Sequence, residues 1–507
     1  MKMKTKTKTI VTLLLLVSVL FGCLCMPISA DESAKRTSVN GSFPDILRKD
    51  YAGRYSYDSI AQTLKTINIM IGDGVSFNLS GLPDRQQAGV MVVRMRGEEQ
   101  AALDAYRTGK LTYPFEDETD EWAKPYIAWL YDKKLMLGIG DNQFGHGICT
   151  AQMYVTLMLR ALGYVDVATP ASPKTDFSYE EAISFAREVR IWDDVLESEP
   201  TFTRAQLAAV THQALGTYVK SGTQRLLTQL VSYGAVDAAA ARPILNLYDA
   251  ADSAYALECS SIPSLNSGLR AKGTVSINRY DTYSQTGGSA GKVEKSAYTG
   301  AEYDMAMNFT GGITEFGLSG TVISERDGSK SSNASGLWLK DKMLYAETNG
   351  KKTRADLTVA SQVSAAEGLV SAFGDLSLMA VGTQIPYYMI TEVYVETLDG
   401  TGPSGERGKM IVYDTTDFMW QVVVSEMDTS NFGGVSDLTV IVNTEKYINQ
   451  DGTLTSVYSG MYGAASKYDA ASKSQKFIEL LSETVVEYSG WGSSVTVAFP
   501  DLTQFKR

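Results

Sequence analysis

Residues 115–164 decide the fold of the N-terminal half of this chain, and they read FEDETDEWAKPYIAWLYDKKLMLGIGDNQFGHGICTAQMYVTLMLRALGY. From Trp122 onwards, apolar side chains recur at the spacing of an amphipathic helix. Gly138 and Gly140 then permit a tight reversal with positive φ. A second apolar face at helical spacing follows and ends at Leu162. The stretch therefore predicts two helices joined by a glycine turn.

The same pattern occurs at two other places in the N-terminal half. Residues 43–97 repeat it closely, with Asp45 at the position of Asp117 and a glycine turn at Gly72. A third, shortened copy with a trailing helix spans residues 177–242. Because repeats of one motif pack on each other, the sequence predicts an all-α domain of three repeats.

The repeats combine Phe-x-Asp, a glycine turn and a Thr-Arg-Ala-Gln helix start, the last at Thr203–Gln206. This combination resembles the surface-layer homology (SLH) domain, the wall-anchoring module of bacterial surface proteins. The resemblance implies three repeats, at 43–97, 115–164 and 177–242, in a bundle with pseudo-threefold symmetry. It also implies grooves between the repeats that bind a pyruvylated secondary cell wall polysaccharide.

The resemblance implies a role for each type of residue in such a groove. An arginine would pair with the ketal carboxylate, because a planar guanidinium forms bidentate hydrogen bonds with carboxylates. An aromatic ring would cover the sugar, and a carboxylate would bind its hydroxyl groups. The corresponding glycan-binding residues are Asp45, Tyr55, Arg85, Asp117, Trp122, Thr203 and Arg204. The second repeat has Ala151 at the arginine position, so its groove is expected to bind weakly or not at all.

These residues also have a purely structural interpretation. Arg85 and Arg204 begin helices and would then be solvated surface residues. Trp122 and Tyr55 would then belong mainly to the hydrophobic core. In that case the repeats would form a structural bundle without a bound glycan.

Residues 1–30 have the order of a secretory signal peptide, namely a basic start, an apolar run and a small-residue cleavage site. Leu20-Phe21-Gly22-Cys23 also resembles a lipobox, so attachment of a lipid at Cys23 is the alternative. Phenylalanine fits its lipobox position poorly, and the interpretation therefore favours export with removal of the leader.

Composition and motifs bear on the remaining functional classes. The net charge of the 507 residues is −12. Loss of the leader would remove its four lysines and make the exported chain more acidic still. An acidic chain without a basic stripe argues against nucleic acid as a partner. The two histidines, His146 and His212, belong to no motif of metal or nucleophilic catalysis, so the sequence predicts neither an enzyme nor a cofactor. Cys149 and Cys259, far apart in the exported chain, are expected to be unpaired thiols.

Residues 244–507 change from helical to alternating periodicity. A leading helix at 244–257 precedes many short alternating runs, which predict an antiparallel meander. Asn349-Gly350 and Asp451-Gly452 lie between such runs and predict two-residue hairpin turns. The elements that interrupt or close the meander are two inserted helices, 359–373 and 472–481, and a last strand, 495–499.

The order of these elements resembles the lipoprotein-carrier half-barrels of the LolA type, in pattern alone. The resemblance implies an apolar concave face for an acyl chain or a similar hydrophobic ligand. Such a face would consist of Met305, Met307, Phe309, Trp338, Met343, Tyr345, Tyr388, Met389 and Trp420. The alternative, which the sequence favours, is that these residues are simply a packed core. Another β-sandwich or open barrel is the alternative fold.

The sequence as a whole predicts an α+β multidomain protein, and the SLH resemblance implies a Gram-positive bacterium as its source. It would be exported and held at the cell wall by SLH repeats, and it would display its β-rich domain outside. The alternatives are a carrier of lipid or another hydrophobic ligand, and a structural component of the surface layer without a small ligand.

Overall fold

The computed structural model describes residues 57–72, 74, 76–117, 119–167, 174–193, 196–197, 201–262, 268–285, 294–309, 313–326, 329–348, 350–356, 384–400, 405, 407–415, 437–469 and 474–506. The predicted signal peptide, Asp45, Tyr55, the predicted helix at 359–373 and Trp420 lie outside these residues.

The chain divides into two compact units. The helical unit comprises Gly53–Ala250 together with Pro386–Met389. The sheet unit includes Ala251–Ile385 and Ile390–Arg507. The protein therefore has the predicted α+β composition, with helices in the N-terminal half and an antiparallel sheet in the C-terminal half.

Helices are numbered over the described residues. They are α1 (Tyr57–Thr66), α2 (Arg85–Met95), α3 (Glu99–Arg107), α4 (Lys124–Asp132), α5 (Ala151–Ala161), α6 (Ala182–Glu188), α7 (Arg204–Gly216), α8 (Leu226–Ser232) and α9 (Ala238–Ser261). None of these helices has the length and apolar character needed to cross a membrane.

Side-chain caps explain where the second helix of each repeat begins. Thr203 and Gln206 form the predicted capping box at the start of α7. Asp84 accepts a hydrogen bond of 2.7 Å from the main-chain N–H of Gln87 at the start of α2. The Thr150 hydroxyl accepts a hydrogen bond of 3.3 Å from the main-chain N–H of Met153 at the start of α5. Each cap satisfies a donor that the first helical turn leaves unpaired.

The predicted glycine turn between α4 and α5 is present. Gly138 and Gly140 have φ of 81° and 100°, a conformation that glycine adopts without strain. A Cβ at Gly138 would also lie 2.6 Å from the ring of Phe115, so this position has no room for a larger side chain. Phe115, the first residue of the second repeat, therefore packs against the glycine turn in the middle of that repeat.

The division into helices around Pro243 was predicted wrongly. The sequence interpretation ended one helical segment at residue 242 and began another at 244, because proline usually breaks helices. In the structure α9 continues through Pro243. It begins earlier because the Asp237 carboxylate accepts hydrogen bonds from Ala239 N and Ala240 N, at 3.0 and 2.9 Å.

The sheet unit contains an 11-stranded sheet whose neighbouring strands pair antiparallel. Its strands are β1 (Gly268–Gln285), β2 (Glu294–Phe309), β3 (Ile313–Arg326), β4 (Ser329–Lys340), β5 (Met343–Thr348), β6 (Lys351–Asp356), β7 (Ile390–Asp399), β8 (Arg407–Thr415), β9 (Asp437–Asn449), β10 (Leu454–Asp469) and β11 (Ser474–Trp491). The strand order is β6-β5-β4-β3-β2-β1-β11-β10-β9-β8-β7. Two meanders therefore meet where the first strand pairs with the last, and β6 and β7 are the two edges.

Two elements near the C-terminus differ from the prediction. Residues 472–481 were predicted as a helix, but from Ser474 onwards they belong to β11, which pairs with β1 on one side and β10 on the other. Pairing on both sides outweighs the local helical preference of this segment. Residues 495–499 were predicted as a strand but form none, and Val495 N donates to Gly492 O in a turn directly after β11.

The two predicted hairpin turns connect neighbouring strands, with different lengths. Two residues separate β5 from β6, as predicted, and Gly350 has φ of 74°. Four residues separate β9 from β10, and Gly452 has φ of 87°. The second turn is longer than predicted because the side chains of Asn449 and Asp451 both accept a hydrogen bond from Thr453 N.

The strand register assigns side chains to two faces of the sheet, because successive residues point to opposite sides. We define face A by the buried apolar cluster on β1–β5 and β11. It consists of Leu269, Ala271, Met305, Met307, Phe316, Leu318, Leu337, Leu339, Leu344 and Val486. On the opposite face, face B, the C-terminal segment places Phe505 against Trp338 and Tyr345.

Candidate functional site

The start of α2, in the first repeat, contacts the loop that follows the glycine turn of the second repeat. Arg85 N donates to Gly147 O at 3.1 Å, and Cys149 N donates to Pro83 O at 2.8 Å. These main-chain hydrogen bonds fix the first helical position of α2 beside the second repeat. The side chain of Arg85 is thereby held at this contact.

The Arg85 guanidinium points to Phe144, the last residue of the glycine turn in the second repeat. Its Nη2 donates to Phe144 O at 3.0 Å, and the guanidinium carbon lies 5.1 Å from the centre of the Phe144 ring. Its Nη1 has a contact of 3.7 Å with the sulfur of Met153, which is a weak acceptor. Burial lowers the pKa of Arg85, and nearby Cys149 is the largest opposing influence.

Arg204 has the equivalent place at the start of α7, in the third repeat. Arg204 N donates to Gly81 O at 2.9 Å, and its Nε donates to Phe77 O at 2.8 Å. Its Nη1 also donates to the side-chain oxygen of Gln87. Phe77 ends the glycine turn of the first repeat, so Arg204 contacts the first repeat as Arg85 contacts the second.

In the second repeat, the first position of the second helix is not an arginine. Ala151 is the first residue of α5, and the side chain of Gln152 donates to Tyr179 O in the third repeat. Each repeat therefore reaches the next from the start of its second helix, and the third repeat reaches back to the first. The sequence analysis assigned no role in binding to Phe77 and Phe144, although their position at the end of each glycine turn was a usable signal.

Asp117 organises the loop that Arg85 contacts. Its carboxylate accepts hydrogen bonds from Phe144 N at 2.7 Å and Gly145 N at 2.8 Å, and His146 Nε2 lies 3.5 Å from it. Burial alone would raise the pKa of Asp117, but these hydrogen bonds and the imidazole outweigh it and lower the pKa. Asp117 therefore holds the Phe144 carbonyl in place for Arg85.

The other assigned residues differ in accessibility. Trp122 lies in the turn before α4 and is 51% exposed, so the interpretation of it as a core residue is wrong. The hydroxyl of Thr203 accepts the capping hydrogen bond of α7, which gives it a structural role. The structure thus brings Arg85 and Asp117 together at one loop, leaves Trp122 exposed, and places Arg204 at a separate contact.

Of the nine residues proposed for a hydrophobic ligand, the seven whose side chains the structure describes do not share one face of the sheet. Met305 and Met307 lie on face A, whereas Trp338, Met343 and Tyr345 lie on face B. Tyr388 and Met389 belong to the helical unit. Alternation along the strands separates the first two groups, because neighbouring positions point to opposite faces. In the described part of the chain, no group of three or more His, Cys, Asp or Glu residues is arranged to hold a metal ion.

Comparison with known proteins gives matches among solved structures alone. No family model matches the sequence, and none of the curated proteins matches it. Among solved structures, the chain is similar to the crystal structure of LprF from Mycobacterium bovis, with 8% sequence identity and a TM-score of 0.23. The match covers 50% of this chain and 97% of that chain. A likeness at this TM-score carries no argument about function.

Proposed function

We propose that this protein is an exported bacterial surface protein and that its helical unit attaches it to an acidic polysaccharide of the cell wall. The observation that carries the proposal is the equivalence of Arg85 and Arg204. Each is the first residue of the second helix of its repeat, and each donates to the main-chain oxygen of the phenylalanine that ends a glycine turn in another repeat. Such cyclic contact between three repeats fits a bundle of the SLH type.

The groove at Arg85 is the better candidate for binding the polysaccharide. Arg85 uses one nitrogen for the Phe144 oxygen, and a second contacts only the weakly accepting sulfur of Met153. A ligand carboxylate that displaced this sulfur would gain a charge-assisted hydrogen bond. Arg204 instead donates to two oxygen acceptors, Phe77 O and Gln87 Oε1. We therefore assign binding mainly to Arg85 and a mainly structural role to Arg204.

Sedimentation of the full exported chain with purified cell walls tests the proposal. Arg85→Ala should weaken binding about 10- to 100-fold, because one charge-assisted contact contributes roughly 1.5–3 kcal/mol. Arg85→Lys should recover only part of the loss, since lysine keeps the charge without the planar fork. Arg107→Ala is the matched control, because Arg107 lies in the same unit with a 76% exposed side chain. Walls stripped of their polysaccharide should bind none of the variants.

Export and removal of the leader are part of this proposal and rest on the sequence of residues 1–30. Sequencing the N-terminus of the protein from its natural surface tests them. A chain that begins at Asp31 supports cleavage at the predicted site. A chain that begins at Cys23 with an attached lipid would show that the protein is anchored by lipid and would contradict cleavage before Asp31.

Carriage of a hydrophobic ligand is the second candidate function. The observation in its favour is face A, on which Met305, Met307 and Phe316 belong to one apolar cluster. Methionine adapts its shape to irregular ligands. Native mass spectrometry of the purified chain, before and after delipidation, distinguishes a carrier from a packed core. A bound lipid lost on delipidation and regained on reloading would support the carrier.

A further inference from the structure

Four residues of the helical unit come from the connection between the edge strands β6 and β7. They are Pro386–Met389, which we call the latch. Tyr387, Tyr388 and Met389 form a single 3₁₀ turn, closed by Met389 N donating to Pro386 O at 3.0 Å, and all three side chains are buried. The latch packs among residues far away in the sequence, since 162 positions separate Tyr387 from Arg225.

Tyr387 packs against a buried arginine, Arg225. Arg225 is 4% exposed, and its Nη1 donates to Gly216 O at 2.6 Å and to the Tyr387 hydroxyl at 3.1 Å. Its guanidinium lies over three tyrosine rings, those of Tyr218, Tyr248 and Tyr387, at 5.0, 5.7 and 5.6 Å from their centres. Cation–π contacts of this kind stabilise a charge that has lost its water.

Further hydrogen bonds and close packing hold the latch in the helical unit. Tyr387 N donates to the side-chain oxygen of Gln213 at 2.8 Å, and the Tyr388 hydroxyl donates to Asp193 Oδ2 at 2.7 Å. Gly216 leaves room for the Tyr387 ring, because a Cβ there would lie 2.5 Å from the ring carbon Cδ2. The position needs glycine for space, since its φ is not in the left-handed region.

We infer that Pro386–Met389 is a conformational latch, whose withdrawal opens α7 and α8 together while the sheet stays folded. Withdrawal would take one hydrogen-bond partner from each of two buried polar side chains, Arg225 and Gln213. Buried polar groups that lose a partner are strongly unfavourable. The region around α7 and α8 is therefore completed by a segment that the chain reaches only after β6. A chain cut short before Pro386 has an incomplete helical unit.

Hydrogen exchange with mass spectrometry on the full exported chain tests the latch. Tyr387→Ala removes a buried aromatic ring, so exchange in α7 and α8 should be about 100-fold faster or more. Exchange in β9 and β10 should be unchanged. Tyr394→Ala is the matched control, because Tyr394 is a 41% exposed tyrosine on the strand that follows the latch. It should leave α7 and α8 unaffected.

Gly216→Ala should displace the Tyr387 ring without changing the sequence of the latch. It provides a second test for the case in which the Tyr387→Ala variant does not fold. Alanine is the better helix former, so Gly216→Ala should be harmless where no ring occupies the space. With Tyr387 present it should speed exchange in α7 and α8 about tenfold. In the Tyr387→Ala background it should add nothing.

Three results would overturn the latch. One is a change of less than about twofold in α7 and α8 for both variants. Another is an equal loss of protection in β9 and β10, which would make Tyr387 an ordinary residue of one cooperative core. The third is simple additivity of the Gly216 and Tyr387 effects, because residues that act through one contact are not additive.

Discussion

The side chain of Arg204 donates a hydrogen bond of 2.8 Å to the main-chain oxygen of Phe77, although the two residues are 127 positions apart in the sequence. The same guanidinium donates to the side chain of Gln87, which lies on α2 of the first repeat. One arginine thus joins the first helical turn of the third repeat to two elements of the first. The contact closes the cycle that Arg85 begins at the second repeat.

Arg204→Ala should therefore destabilise the helical unit. Loss of hydrogen bonds from a charged group should lower the free energy of unfolding by about 2–3 kcal/mol. Arg204→Lys should recover part of this, because an ammonium reaches one acceptor but lacks the fork. Denaturant titrations followed by circular dichroism measure the change, with Arg107→Ala expected within about 0.5 kcal/mol of the parent. An Arg204→Ala variant as stable as this control would show that the contact contributes nothing.

Asp117→Asn should loosen the loop at residues 144–146. The amide keeps one acceptor oxygen but loses the charge, so the variant should be about 1–3 kcal/mol less stable. Since the pKa of Asp117 is lowered on folding, its contribution is present above the ordinary carboxyl pKa and is lost as pH falls below about 4. Parent and variant should therefore converge in stability in acid. Asp132→Asn, which alters a surface ion pair with Lys133, is the control, and an equal effect of both changes would contradict the loop assignment.

His212 should make the helical unit sensitive to mild acid. Burial lowers the pKa of His212 to about 4, and within the described residues its Nδ1 has no hydrogen-bond partner. The unfolded chain takes up this proton near pH 6.5 while the folded chain does not, so stability falls as pH drops from 6.5 to 4. The loss should reach about 3 kcal/mol. His212→Leu removes the titrating group, and thermal unfolding across this range should show a flatter profile than the parent; two parallel profiles would exclude His212 as the cause.

Much of the fold was predictable because local signals agreed with the final packing. The capping box at Thr203 and the glycines at 138 and 140 encode helix starts and a turn in residues adjacent in sequence. Residues 474–481 were harder, because this stretch is rich in helix-forming residues, namely Gln475, Lys476, Glu479, Leu480 and Leu481. Its strand conformation comes from β1 and β10 on either side, which no local window contains.

The candidate site was predictable in its side chains but not in their partners. Arg85 and Asp117 stand at positions that the repeat pattern marks. Their hydrogen bonds to oxygen and nitrogen go to main-chain groups of residues 144 and 145, which any residue type except proline could supply. The latch was not predictable, since nothing in the sequence around Pro386 indicates that Tyr387 packs against Arg225.

A buried ion pair in the sheet unit provides the last prediction. Lys446 Nζ donates to Glu258 Oε2 at 2.7 Å, and the two side chains are 3% and 1% exposed. The register places Lys446 opposite Val457 and hence on face A, in line with Val486. The Lys446 ammonium also lies 5.4 Å from the centre of the Tyr413 ring. The pair therefore fixes the C-terminal part of α9 against β9.

Lys446→Met should lower the free energy of unfolding by about 3–5 kcal/mol, because it leaves the Glu258 carboxylate buried without its cation. The double variant Lys446→Met/Glu258→Leu should regain most of this loss, since an apolar pair of similar volume avoids the cost of burying charge. Lys272→Met is the matched control, because Lys272 lies 3.9 Å from Asp304 in an exposed pair, which should contribute at most about 1 kcal/mol. Denaturant unfolding of the four proteins, with the parent included, measures these differences. A Lys446→Met variant no less stable than Lys272→Met would mean that water reaches Glu258 and that α9 is held to the sheet by apolar contacts alone.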